Sequence, residues 1–116
     1  MTSKEQLKIS VKACAETLER VASGEYDGEQ YEDTYEALTA YFEYTPDVNF
    51  VIGARKEYRG VIITLGCGGP DIYFDTREGY VKGYWGGDFA EYHVQSWAVA
   101  AVDEYWEEQA EMLFGM

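Results

Sequence analysis

At 116 residues the chain is one domain by length, and its 47% hydrophobic residues supply a core, which excludes the disordered class. Twenty-two acids against nine bases give a formal net charge of −13, which excludes direct binding of nucleic acid or an anionic membrane surface. Two cysteines and one histidine show no zinc-ligand spacing. The opening MTSKEQLK lacks the apolar stretch of a secretory signal, and no apolar run approaches the roughly 20 residues of a membrane helix. A soluble, cytoplasmic protein with reduced thiols is expected, a Cys14–Cys67 disulfide being the less favoured alternative.

In chain order, Ser3 with Gln6 three residues on reads as a capping box. Leu7, Val11, Cys14, Leu18 and Val21 then recur at spacings of four and three, the stripe of a helix that Ser23-Gly24 ends. Asp27 and Gln30 suggest a second cap, for a helix over about 28–44 that Pro46 stops. Its apolar stripe is Tyr31, Tyr35, Leu38 and Phe42. Glu29, Asp33, Glu36 and Glu43 fall on another side, with Glu32 beside them.

From Val48 the period changes to that of strands. Residues 48–54 read as a strand, 56–60 as a turn, and 61–66 as a strand apolar on both faces. Gly68-Gly69-Pro70 turns the chain into a strand over 71–75. The loop Thr76-Arg77-Glu78-Gly79 leads to a strand over 80–85, with Gly83 as a candidate bulge. Gly86-Gly87-Asp88 turns again before a short edge strand over 89–93. Ser96 offers a cap for a last helix to about Phe114, with Val94, Ala98, Ala101, Val102, Tyr105, Met112 and Leu113 on its buried side. Short loops between successive strands imply an antiparallel meander. The expected fold is a single α+β domain over 1–116: two N-terminal helices, a meander sheet of four or five strands and a C-terminal helix. The helices should cover one sheet face through Val51, Ile62, Leu65, Ile72 and Phe74.

The bases are confined to two tracts. Residues 1–20 carry four bases and three acids, and residues 55–82 five and four. Residues 21–54 hold eight acids and no base, and residues 83–116 seven and none. The whole excess therefore lies in helical tracts, as Glu29, Glu32, Asp33, Glu36 and Glu43, and as Glu104, Glu107, Glu108 and Glu111 beside Asp103. Carboxylates three and four apart on a helix stand about 5–6 Å from one another, the scale on which phosphates follow one another along a nucleic-acid strand. Such a row can imitate a phosphate backbone toward a basic cleft. It can equally serve solubility alone.

Nothing assembles into a catalytic or metal set, and no cofactor motif is present; a non-enzyme is expected. His93, alone at a strand end, reads as a structural hydrogen-bonder. Asp71, Asp75 and Asp88 flank glycine turns, where Asp bonds nearby backbone N–H groups; a carboxylate pair or cation site is the less favoured reading. Tyr84 and Trp85, beside the double glycine and Asp88, are candidate interface anchors, although core filling is the commoner fate of such a pair.

The segment GGPDIYFDTREGYVKGYWGGDFAEYHV and the acidic helix ending AVDEYWEEQ resemble small proteins of phages and mobile elements of gut bacteria, over roughly residues 55–110. Size, acidity and tyrosine content are similar to those of anti-CRISPR and anti-restriction proteins, several of which mimic nucleic acid. That resemblance implies a host-cytoplasm inhibitor whose partner is a basic nucleic-acid-binding protein such as a CRISPR effector. The two acidic rows, with Tyr84, Trp85 and Asp88, would supply the contacts. The alternative is a small interaction or accessory module, monomer or dimer, whose tyrosine-rich surface is the interface.

Overall fold

The computed structural model describes residues 2–45, 47–66 and 70–116. The expected Pro46 stop, most of the Gly68-Gly69-Pro70 turn and the Cys67 half of a disulfide lie outside the described residues.

Helix α1 spans Ser3–Ala22. Its cap falls one residue earlier than expected: Thr2 is extended, and its hydroxyl accepts the Glu5 N–H at 3.2 Å. Leu7, Val11, Ala15, Leu18, Val21 and Ala22 are buried, so the stripe runs as expected except that Cys14 lies at its half-buried edge. There, burial pushes the Cys14 thiol pKa up. Gly24 ends the helix, its N–H bonded to the Val21 carbonyl.

The next element is not a helix. Glu25–Tyr26 (β1) and Glu29–Gln30 (β2) form a small hairpin, with Asp27 and Gly28 at its tip at φ 53° and 78°. Asp-Gly with both residues left-handed is the strongest two-residue hairpin signal, because that turn matches the twist of the strands it joins. It overrides the expected Asp27 cap. Helix α2 therefore starts later and is short, Thr34–Phe42 rather than 28–44. Its actual cap is Asp33, whose carboxylate accepts the Glu36 N–H at 2.8 Å.

Five strands follow as an antiparallel meander in sequential order: β3 (Asp47–Ile52), β4 (Tyr58–Gly66), β5 (Asp71–Asp75), β6 (Tyr80–Trp85) and β7 (Asp88–His93). The first ends two residues before the expected boundary, and β4 begins inside the expected turn. The β5–β6 loop is as expected: Gly79, at φ 78°, returns its N–H to the Asp75 carbonyl. Helix α3 spans Ser96–Phe114; Gln95, not Ser96, occupies its cap position, and no side chain caps it.

All three helices lie on one face of the sheet. α1 packs on β6 and β7, α3 packs on β4, and α2 fills the space between them. The covered face is built from Val61, Ile63, Ile72, Phe74, Val81 and Ala90, with Leu65 partly buried. Leu65, Ile72 and Phe74 were expected there; Val51 and Ile62 lie on the opposite face. The register decides this, since Ile63 stands opposite Phe74 whereas Ile62 stands opposite Asp75, and successive residues alternate. Gly83 is not a bulge, for both ladders run through it without a shift. It is where α1 comes closest to the sheet: a Cβ there would lie 2.6 Å from Val11 Cγ2 and 2.9 Å from Leu7 Cδ1. Between α2, α3 and β3 the core is aromatic. Trp106 sits 5.2 Å from Phe42 and 5.8 Å from Phe50, centroid to centroid. Met112 and Leu113, expected on the buried side of the last helix, are 67% and 66% exposed; the last apolar contact of α3 is made instead by Phe114, whose ring lies 5.3 Å from that of Phe50.

Candidate binding surface

The exposed side of α3 is an uninterrupted row of carboxylates. Glu104, Glu107, Glu108 and Glu111 are all exposed and follow one another by three, one and three residues, hence along one flank of the helix. Glu104 and Glu108, and Glu107 and Glu111, are like-charged pairs four apart, each of which weakens a helix by about 0.2–0.5 kcal/mol. Glu111 also sits in a last turn without any basic residue, against the negative end of the helix dipole. α1 shows the opposite arrangement, with Glu5 in its first turn and Arg20 in its last. The chain thus builds one helix with the electrostatic grain and one against it.

No base relieves that row. Among the described residues the ion pairs are Glu57–Arg59, Asp75–Arg77 and Glu78–Lys82, all in the sheet and its loops. Each of those bases is occupied by a neighbouring acid. Burial alone would raise the Asp75 carboxyl, but bonds from the Arg77 side chain and backbone outweigh it and hold its pKa below the ordinary value. This is the turn role expected of Asp75.

Asp103 is withdrawn from the row. It is half-buried, and its Oδ1 accepts the Tyr58 hydroxyl at 2.7 Å. Burial first, and the bond to Asp103 second, push the Tyr58 pKa far above that of a free phenol. A folded-state pKa raised this way contributes stability that is present below the unfolded value of about 10 and lost as pH rises above it. Tyr58→Phe is expected to cost about 1–2 kcal/mol at neutral pH, since it leaves a half-buried carboxylate without its donor. It should also flatten the fall in stability above about pH 10; urea melts of both proteins across that range check this.

The second acidic row does not exist as such. Because α2 begins at Thr34, Glu29 belongs to β2 and Glu32 to the connection after it. Glu43 follows the last turn of α2, roughly 15 Å along the axis from Asp33. Asp33 and Glu36 alone share the start of α2. What the fold creates instead is a groove between α2 and α3 of about 410 Å³, with Asp33, Glu104 and Glu108 at its rim and Tyr35, Leu38 and Tyr105 as walls. The two tyrosine rings are 5.0 Å apart, and Gln109 Nε2 holds the Tyr35 hydroxyl at 2.8 Å. Aromatic walls under a carboxylate rim suit a guanidinium or an ammonium group. Tyr35, Leu38 and Tyr105 were legible only as stripe residues, and nothing local said that their helices would meet.

Tyr84, Trp85 and Asp88 lie elsewhere, at the β6–β7 hairpin end beside the first turns of α1. Tyr84 and Trp85 are 46% and 41% exposed, so they do not fill the core. His93 is exposed at the end of β7, its ring 5.2 Å from that of Tyr80. Among the described residues no three His, Cys, Asp or Glu side chains converge as a metal site, and no helix is long and apolar enough to cross a membrane. No family model matches the chain, and no curated protein or solved structure matches it either.

Proposed function

We propose that the chain is a non-enzymatic inhibitor that occupies the basic nucleic-acid-binding surface of a bacterial defence effector, of which a CRISPR effector is the leading case. The observation that carries this is the unneutralised carboxylate row of α3, held in place at a cost to the helix that bears it. A solvating surface is served as well by acids interleaved with lysines, as α1 demonstrates. In this reading Glu104, Glu107, Glu108 and Glu111 lie along a cleft that otherwise tracks phosphates, and the groove beside them receives one arginine or lysine of the target. Contact is partial mimicry along one helix flank, with Asp33 and Glu36 extending it. The place of action is the cytoplasm of the host cell.

The test is capture of partners from the lysate of a host carrying such a system, with short duplex DNA as competitor and a series of NaCl concentrations. The expected result is a nucleic-acid-binding protein that DNA displaces and whose affinity falls steeply with salt, as for contacts made through many charges. A partner indifferent to both DNA and salt would remove the proposal. The second reading, an interaction module, is favoured by a different surface, the uncovered face of the sheet.

A further inference from the structure

We propose that the groove between α2 and α3 is selective for a guanidinium group, so that its occupant is an arginine side chain of the partner and not a lysine. The partner is the basic one proposed for the α3 row, a reading on which this inference rests.

Carboxylates alone do not single out this place in a chain with 22 acids. What is particular to it is a walled space of about 410 Å³ with acids from two helices at its rim, aromatic and apolar side chains below them, and no base among its lining residues. Asp33 approaches from the cap of α2, Glu104 and Glu108 from α3. Asp33 Oδ1 accepts the Glu36 N–H at 2.8 Å, which fixes that carboxylate at the start of its helix. Glu104 and Glu108, four apart on one helix, stand about 6 Å from each other. The acceptors are thus spread around the opening and anchored on both sides of it.

The aromatic wall decides which cation fits. A compact ammonium is held best in a cage, with several rings around it at up to about 6 Å from each centroid. Tyr35 and Tyr105 are already in contact, with centroids 5.0 Å and planes 50° apart, so no cation enters between them. They offer one open face instead, that of Tyr35, which is 42% exposed while Tyr105 is only 8% exposed. A planar guanidinium stacks on a single ring face and is more weakly hydrated than an ammonium, so it loses less on meeting apolar walls. Its N–H edge stays in the plane of the stack, directed outward to carboxylates on either side. A lysine ammonium is a strongly hydrated point charge and gains no such match. The ring is also in place beforehand. Gln109 Nε2 donates to the Tyr35 hydroxyl at 2.8 Å, so little ordering is left for the moment of binding.

NMR titration of the full isotope-labelled chain with N-acetyl-arginine amide, N-acetyl-lysine amide and tetramethylammonium tests this. The arginine probe is expected to bind at on the order of millimolar concentration, since one side chain brings few contacts. It should bind roughly three- to ten-fold more tightly than either other cation. The Tyr35 and Tyr105 ring signals should shift together with the Glu104 and Glu108 amides. Tyr35→Leu should abolish the preference and leave weak, salt-sensitive binding of all three probes. Tyr35→Phe, which keeps the ring and loses only the bond from Gln109, should retain most of it; the amide spectrum of each variant reports whether the fold is kept. Equal binding of arginine and lysine would overturn the inference. So would ring signals that do not move, a preference that survives Tyr35→Leu, or tightest binding of tetramethylammonium. Any of these leaves capture of a DNA-displaced partner as it stands. An arginine-selective groove in a chain that captures no such partner keeps the pocket and removes the inhibitor role.

Discussion

Gly83→Ala is expected to destabilise the protein by about 1–3 kcal/mol, the usual cost of overpacking a filled core. The backbone at Gly83 accepts any residue, so the effect is one of space alone. The added Cβ would stand 2.6 Å from Val11 Cγ2 and 2.9 Å from Leu7 Cδ1, and α1 would have to lift from β6. Urea unfolding measures the loss directly, and each kcal/mol should lower Tm by about 4 °C at this size. The decisive control is Val11→Ala, which by itself removes buried methyls and destabilises. Combined with Gly83→Ala it frees the volume that the new methyl needs. The double variant should therefore be more stable than the sum of the singles by about 0.5–3 kcal/mol. Strict additivity would mean that α1 and β6 do not meet at this point.

Replacing Glu104, Glu107, Glu108 and Glu111 together by glutamine is expected to move binding and stability in opposite directions. If each carboxylate contributes about 0.2–1 kcal/mol to a basic partner, the quadruple variant binds more weakly by about 1–4 kcal/mol, roughly five-fold to several hundred-fold. Its affinity should also depend less on salt, since fewer charges are exchanged. The helix gains what the like-charged pairs cost, so the free protein should unfold at the same denaturant concentration or a higher one. Titration calorimetry and urea melts on the same preparations read both. Unchanged affinity would assign these acids to solubility alone, and lost stability would show an unrecognised structural role.

The strands were legible because glycine and alternation mark them together. From Asp71 to His93 the expected boundaries fall within one residue of the observed ones. α1 was legible because its apolar stripe is long enough to override the exact choice of cap. The row on α3 was readable for the same reason: once a helix is certain, spacing alone fixes the face. The row assigned to Glu29–Glu43 failed on a single competing signal. Asp27-Gly28 satisfies both a helix cap and a hairpin tip, and only the pairing of Glu25–Tyr26 with Glu29–Gln30 settles which one forms. Val51 and Ile62 were misplaced because a strand apolar on both sides carries no internal sign of which side meets the helices; its partners' register does that. The groove between α2 and α3 is a product of long-range assembly. Tyr35 and Tyr105 lie in separate helices whose meeting no local pattern encodes.

The packing of the first helix on the last two strands has a consequence for synthesis. Leu7 and Val11 rest against Gly83, and the Gln95 N–H bonds the Glu19 carboxylate across 76 residues of chain. On the ribosome, then, α1 emerges complete while the surface it needs is still untranslated. Its apolar stripe must wait, in contact with water or a chaperone, until the final hairpin leaves the exit tunnel. Local hairpins can zip early, but the core around α1 closes only once β6 and β7 are free to pair. Nascent chains stalled before His93 should accordingly remain protease-sensitive along α1.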